Sequence, residues 1–171
     1  MLIVASDGAA TTAASGERAA GPRERTRFFI DAWGRKLHMP SHAQLSAMRP
    51  LLTTDFAAAI KLAREDQDAF MAAEPDMKPG LTEITFAGVE DNNFDTYAFG
   101  HSGAIDARRH GVVVIFRQTY AGDTYRAWRR YVWVREDGAW RLDDVIDFGD
   151  RPHERGSSLK ALFRSVEGAS K

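Results

Sequence analysis

From Gly111 to Gly149 the chain alternates apolar and polar positions over three runs broken by glycine-containing pairs: GVVVIFRQTYAGDTYRAWRRYVWVREDGAWRLDDVIDFG. Alternation with period two predicts three antiparallel strands joined by two tight turns. Gly122-Asp123 suits a type II′ turn and Asp137-Gly138 a type I′ turn. With two-residue turns, Tyr120 is expected opposite Tyr125, Phe116 opposite Arg129 and Val114 opposite Tyr131. In the second hairpin Tyr131 is expected opposite Asp144, and Trp133 opposite Leu142. One face then gathers Val112, Val114, Phe116, Gln118, Tyr120, Tyr125, Ala127, Arg129, Tyr131, Trp133, Trp140, Leu142, Asp144, Ile146 and Phe148. The other carries Arg117, Arg126, Arg130, Arg141, Asp143 and Asp147 among Val113, Ile115, Trp128, Val132 and Val145. Such a sheet has one covered side and one wetter side, and a pocket is expected on the covered side.

Upstream the period changes to that of helices. Phe29, Trp33 and Leu37 recur at i, i+4, i+8 with Ala32 beside them, so Pro22 to Met39 reads as an amphipathic helix stopped by Pro40. Arg25, Asp31 and Arg35 fall off its apolar stripe. Gly34 costs about 1 kcal/mol against Ala inside a helix, and a close packing partner is one reason to keep it. Ser41 caps a short helix through Met48. Thr53, Thr54 or Asp55 caps a longer one from Phe56 to about Ala73, with Phe56, Ala59, Ile60, Ala63, Ala69, Phe70 and Ala73 as its apolar set. Glu74 to Asp95 is rich in Pro, Gly, Asp and Asn, and reads as a crossover with a short strand at Thr82 to Phe86. Tyr97 to Ile105 alternates as a fourth strand. Ser157 or Ser158 caps a last helix carrying Leu159, Leu162, Phe163 and Val166.

Composition narrows the classes. The 171 residues fit a single domain over 22–166, flanked by disordered segments at 1–21 and 167–171. The formal net charge of -1 and interleaved strand charges predict no nucleic-acid partner. The absence of cysteine excludes disulfides, thiol catalysis and cysteine-ligated zinc. No run approaches the roughly 18 to 20 apolar residues of a membrane span. The opening stretch, MLIVASDGAATTAASGERAAGP, lacks the basic start and long apolar run of an intact signal peptide. It reads either as the leader of an exported chain or as a plain disordered tail.

Two stretches carry a family resemblance: an aromatic opening helix, FFIDAW (Phe28 to Trp33), and the terminal strand EDGAWRLDDV (Glu136 to Val145). With helices first and a curved antiparallel sheet after them, the chain resembles the nuclear transport factor 2-like superfamily over about Pro22 to Val166. The likeness is strongest to uncharacterised bacterial domains, many of them exported, with a Trp-[Lys/Arg]-[Ile/Leu]-Asp-Asp last strand. The resemblance implies an α+β cone, in which N-terminal helices pack on a strongly bent antiparallel sheet and a short C-terminal helix follows. It also implies export to the periplasm. It leaves function open, because such cones host isomerases, dehydratases, epoxide hydrolases, transport factors, immunity proteins and plain binders.

The polar minority of the covered face, Arg129, Asp144, Tyr131 and Gln118, is the candidate ligand site. Arg129 and Asp144 are diagonal neighbours in the expected register, and a buried carboxylate needs such a partner. They form either an ion pair closing the wide end of the cone, a ligand anchor, or, with Asp144 as base, an isomerase- or dehydratase-type centre. The epoxide hydrolase pattern lacks its first Asp, since Tyr131 stands there. His101 is the candidate for a dehydratase-type histidine if it faces inward, while His110 and His153 are expected in solvated turns. His38 and His42 straddle Pro40 and do not form a zinc pair, and the Glu65, Asp66, Asp68 cluster reads as a solvated helix face. No metal or cofactor is expected. On the outer face, Trp128 flanked by Arg126 and Arg130 marks an interface, either for a homodimer or for an accessory or immunity partner. Cover by the last helix or the N-terminal tail is the alternative. The leading expectation is a non-catalytic domain holding a small, partly apolar molecule or a partner segment.

Overall fold

The computed structural model describes residues 20–35, 38–77, 84, 86–89, 93–151 and 155–165. The protein is an α+β fold in which helices precede a bent, open antiparallel sheet and a short helix closes the chain. Helix α1 (Pro22–Phe29) runs into a π-helical turn, Ile30–Gly34. Helix α2 (His42–Met48) ends in a 3-10 turn, Arg49–Leu51, and helix α3 spans Thr54–Ala73. The sheet has the order β1 (Thr96–Ala104), β2 (Arg109–Tyr120), β3 (Asp123–Glu136), β4 (Ala139–Asp147) and β5 (Ser157–Ser158). Helix α4 (Leu159–Ser165) follows β5 directly.

Local chemistry sets these boundaries. Ser41 and Gln44 form a reciprocal capping box at the start of α2. Thr53 caps α3 by accepting from the Phe56 amide at 3.1 Å. The first helix stops short of the expected Met39, turning out of α-geometry at Ile30 and ending at Gly34. A Cβ on Gly34 would lie 3.1 Å from the Ala87 side chain, so the close packing partner is the segment around Ala87. Leu37, the expected third member of the α1 stripe, lies outside the described residues, as do the flanking segments 1–19 and 167–171, His153 and Val166. The strand expected over 82–86 is described only at Ile84 and Phe86. Arg25, expected off the apolar stripe, is buried instead.

Phe29, Ile30, Phe56, Ile60, Phe86, Phe163 and the inner face of the sheet make one continuous core. Phe29 meets Phe86 and Tyr131 with ring centroids 6.3 and 6.0 Å apart, and Phe56, Phe86 and Phe163 form a triangle of mutually tilted rings. Trp133 is fully buried, and its indole N–H donates to Thr26 Oγ1 at 2.8 Å, tying β3 to α1. Along α3, Phe56, Ala59, Ile60 and Ala63 are buried, whereas Ala69 and Ala73 are exposed where the helix runs past the core.

The strand register departs from expectation twice. In the first hairpin Tyr120 pairs with Asp123 and Val114 with Arg129, so the turn is Ala121-Gly122, not Gly122-Asp123. Both turn residues have positive φ, 52° and 92°, as a type I′ turn requires to match strand twist. Moving a turn by one residue moves each pairing by two, so every β2 and β3 side chain keeps its expected face. In the second hairpin the Asp137-Gly138 turn forms as read, and Trp133 pairs with Leu142. A bulge then intervenes, and Val132 pairs with Asp144, Tyr131 with Val145 and Arg129 with Asp147. One added residue reverses the faces of β4 from that point. Val145 and Asp147 turn inward, and Asp144 and Ile146 turn outward.

Candidate functional site

The bulge divides the expected cluster. Asp144 does not meet Arg129, because it lies across the bulge on the opposite side of the strand. Its Oδ2 accepts from the Ser158 hydroxyl at 2.6 Å, and its Oδ1 from the Lys160 amide at 2.9 Å and the Val145 amide at 2.8 Å. Asp144 therefore holds the first turn of α4. Its neighbour Asp143 accepts from Thr53 Oγ1 at 2.9 Å and from Lys160 Nζ at 2.8 Å. Lys160 also reaches Asp55 at 3.1 Å. Both acids of the W-R-L-D-D strand thus pin helices to the sheet. For Lys160, burial alone works against the ammonium, but its bonds to Asp143 and Asp55 outweigh this and raise its pKa.

Arg129 takes Asp147 as its partner at 3.1 Å. Its Nη1 donates to the Gly88 carbonyl, and its guanidinium sits 5.7 Å from the Phe116 ring centroid. Tyr131, two residues along, donates to the Phe86 carbonyl at 2.7 Å. Burial pushes this phenol well above its ordinary range. Together Arg129 and Tyr131 fasten the 86–89 segment across the inner face. The inner face at Arg129, Tyr131 and Trp133 is packed solid, each residue being at most 1 % exposed. Gln118 lies further out on β2, half-buried and paired with Tyr125.

Open space begins where the packed floor ends. β3 begins before its pairing with β4 does, and a groove of about 580 Å³ follows its first residues. The groove is lined by Thr124, Tyr125, Arg126, Ala127 and Trp128 of β3, by Val89 and by the Gly149-Asp150 turn. Tyr125 is 46 % exposed there. Sequence reading counted Tyr125 and Ala127 on the covered face but missed the groove. The signal was the mismatch in strand length between β3 and β4. A second cleft of about 690 Å³ lies between α2 and α3, with Leu45, Pro50, Ala57 and Ala58 inside and His42, Arg49 and Lys61 around it.

On β2 and β3 the outer face is as parity predicted, with Trp128 beside Ile115 and Arg130 beside Val113, whereas Val145 and Asp147 of β4 have left it. Trp128 is half-buried, while Arg126 and Arg130 are exposed, Arg130 lying over the Phe148 ring at 5.3 Å. Helix α4 sends Leu159 and Phe163 into the core.

The histidines settle elsewhere. His101 is exposed, carried outward by a bulge between Phe99 and Ser102. His110 is not in a solvated turn. It lies in β2, half-buried, 3.0 Å from the Ser102 hydroxyl and edge-on to Trp140. Asp68 meets Arg64 and, at 3.0 Å, the His42 ring, and Glu65 meets Lys61, so both acids have a partner. No group of three or more His, Asp or Glu residues is placed to hold a metal among the described residues. No helix among them is long and apolar enough to cross a membrane. Tyr97 donates to Asp31 at 2.7 Å, and burial, with this bond to a carboxylate, pushes its pKa up to about 12. No protein-family model matches the chain, and no curated protein is similar to it in sequence.

Proposed function

We propose that this chain is a non-catalytic binding domain of the nuclear transport factor 2-like type. A small, partly apolar molecule or a partner segment occupies the groove at the mouth of its cone. The observation that carries this reading is the groove itself: an exposed tyrosine, Tyr125, beside Ala127 and Val89, above a floor closed by Arg129 and Tyr131. A concave site with an apolar lining and a few polar groups at its rim is the usual form of a ligand pocket. Arg129 and Tyr131 act through the 86–89 segment, whose carbonyls they hold and which supplies Val89 to the groove. They are positioning residues. The enzyme alternative draws less support, because the oxygens of Asp144 are engaged at the start of α4.

The test is titration with anilinonaphthalene sulfonate, read by fluorescence and by backbone amide shifts. Saturable binding is expected, with shifts at Val89, Tyr125 and Ala127. Tyr125→Ala should weaken it about five- to tenfold through lost apolar contact, on the order of 1 kcal/mol. Shifts confined to the cleft between α2 and α3, or no saturable binding, would defeat the reading.

A second reading has its own observation. Trp128, Ile115 and Val113 form a half-buried apolar strip on the outer face, rimmed by Arg117, Arg126 and Arg130. A homodimer or an accessory partner on that strip is tested by sedimentation of wild type and Trp128→Glu. A monomer at all concentrations in both would rule out the homodimer.

A further inference from the structure

β3 outruns its neighbour. The β3–β4 ladder closes at Arg129 and Asp147, and Trp128 makes the last backbone contacts, donating to the Gly149 carbonyl at 2.9 Å and accepting from the Phe148 amide at 3.0 Å. Among the described residues, β3 from Asp123 to Ala127 has β2 on one side and the groove on the other. The direction of its free backbone groups follows from period two. Since Trp128 points its N–H and C=O away from β2, so do Arg126 and Thr124. The carbonyl of Arg117, cross-strand partner of Arg126, agrees, for it turns away from β3 to accept from the Asp95 amide at 2.7 Å. Arg117 and Arg126 are therefore a non-hydrogen-bonded pair, the kind whose Cα atoms approach to about 4.5 Å.

This edge is charged in an unusual way. Like charges directly opposite one another destabilise a sheet, yet both arginines are exposed and no ion pair joins either to a carboxylate among the described residues. Asp150, across the groove, lies 3.7 Å from Arg151. On the inner side of the same edge stand Tyr125, Ala127 and Val89. An incoming strand would thus meet apolar surface with one set of alternate side chains and two arginines with the other. A second copy of this chain suits the edge poorly, because two-fold pairing there would bring four arginines together.

We propose that the occupant of the groove is an extended peptide segment that adds to the free edge of β3, bonding the backbone of Thr124 and Arg126. Its apolar residues face Tyr125 and Val89, and its Asp or Glu residues alternate with them to face Arg117 and Arg126. This inference rests on the groove being the binding site. Short added strands of this kind draw affinity from main-chain bonds and specificity from alternate side-chain contacts.

The experiment uses the full chain and an acetylated, amidated pentapeptide alternating valine and glutamate. Three comparisons are made: the valine-lysine version, a valine-glutamate version methylated on every backbone nitrogen, and both charged peptides with Arg126→Glu protein. The expected result is slowed exchange and shifted amides at Thr124 and Arg126, with the glutamate peptide binding at least tenfold tighter than the lysine one. Methylation should abolish binding, and Arg126→Glu should invert the charge preference. Equal binding of all peptides, or shifts away from β3, overturns the proposal. So does concentration-dependent self-association that protects Thr124 and Arg126 without peptide. If anilinonaphthalene sulfonate fills the groove and no peptide does, this inference fails alone; if neither binds, the binding-domain reading fails with it.

Discussion

Arg129 and Asp147 meet at 3.1 Å across β3 and β4, although simple alternation along β4 places Asp144 on that face and Asp147 on the other. Asp147 is 30 % exposed and Arg129 only 1 %, so the pair spans the boundary between the packed floor and water. Breaking it leaves a buried guanidinium with the Gly88 carbonyl as its remaining described acceptor. A double-mutant cycle of Arg129→Met and Asp147→Leu, read by urea unfolding, should give a coupling of about 1–2 kcal/mol, discounted for the exposure of Asp147. The same cycle with Asp144→Leu should give less than about 0.5 kcal/mol. A stronger coupling to Asp144 would contradict the bulged register.

Thr26 accepts the only hydrogen bond made by the Trp133 indole among the described residues. Thr26→Val keeps the shape and strands a buried donor. The expected loss is about 1–3 kcal/mol in unfolding free energy, the cost of an unmet buried N–H. Trp133 fluorescence should report it as a changed native spectrum.

The anchoring of α4 should depend on pH at both extremes. Asp55 is held below its usual 3.8 by its bond from Lys160, with desolvation opposing. A depressed carboxylate stabilises above its unfolded value, and this is lost as pH falls through the folded one. Lys160 is opposed by burial, yet its bonds to Asp143 and Asp55 raise it above 10.5. A raised ammonium stabilises fully below its unfolded value, and this is lost as pH rises through the folded one. The denaturation midpoints of wild type and Lys160→Met should therefore differ by a steady amount between pH 3.8 and 10.5. They should converge outside that range.

Ala121 sits at φ 52° in the β2–β3 turn, a region disfavoured for residues with a Cβ. Ala121→Asn supplies the Asn-Gly pair that type I′ turns prefer. It should stabilise the protein by about 0.5–1 kcal/mol while leaving the Tyr120–Asp123 pairing intact, as judged by thermal unfolding and cross-strand Hα contacts.

Much of the architecture was legible because it follows from local rules. Ser41 and Thr53 announce their helices, and Asp137-Gly138 announces its turn. The faces of β2 and β3 survived a misplaced turn because that error moved pairings by an even number. The candidate site was less legible because one residue at the bulge changes parity, and nothing in L-D-D-V marks where the extra residue falls. Arg25 and His110 were misjudged for another reason: long-range packing, not local pattern, sets how deeply they are buried. The groove was hidden for a third, since it arises from the unequal lengths of β3 and β4.

A strand that changes sides halfway has no single inside. In β4 the two adjacent acids Asp143 and Asp144 serve helices α3 and α4, while Asp147 serves the sheet's interior, and this division depends on the one surplus residue between Leu142 and Asp144. Deleting that residue, Asp143, would remove its bonds from Thr53 and Lys160 and would also reverse the face of every later residue of the strand. The number of residues at this point thus decides which acid reaches Arg129 and which reaches α4.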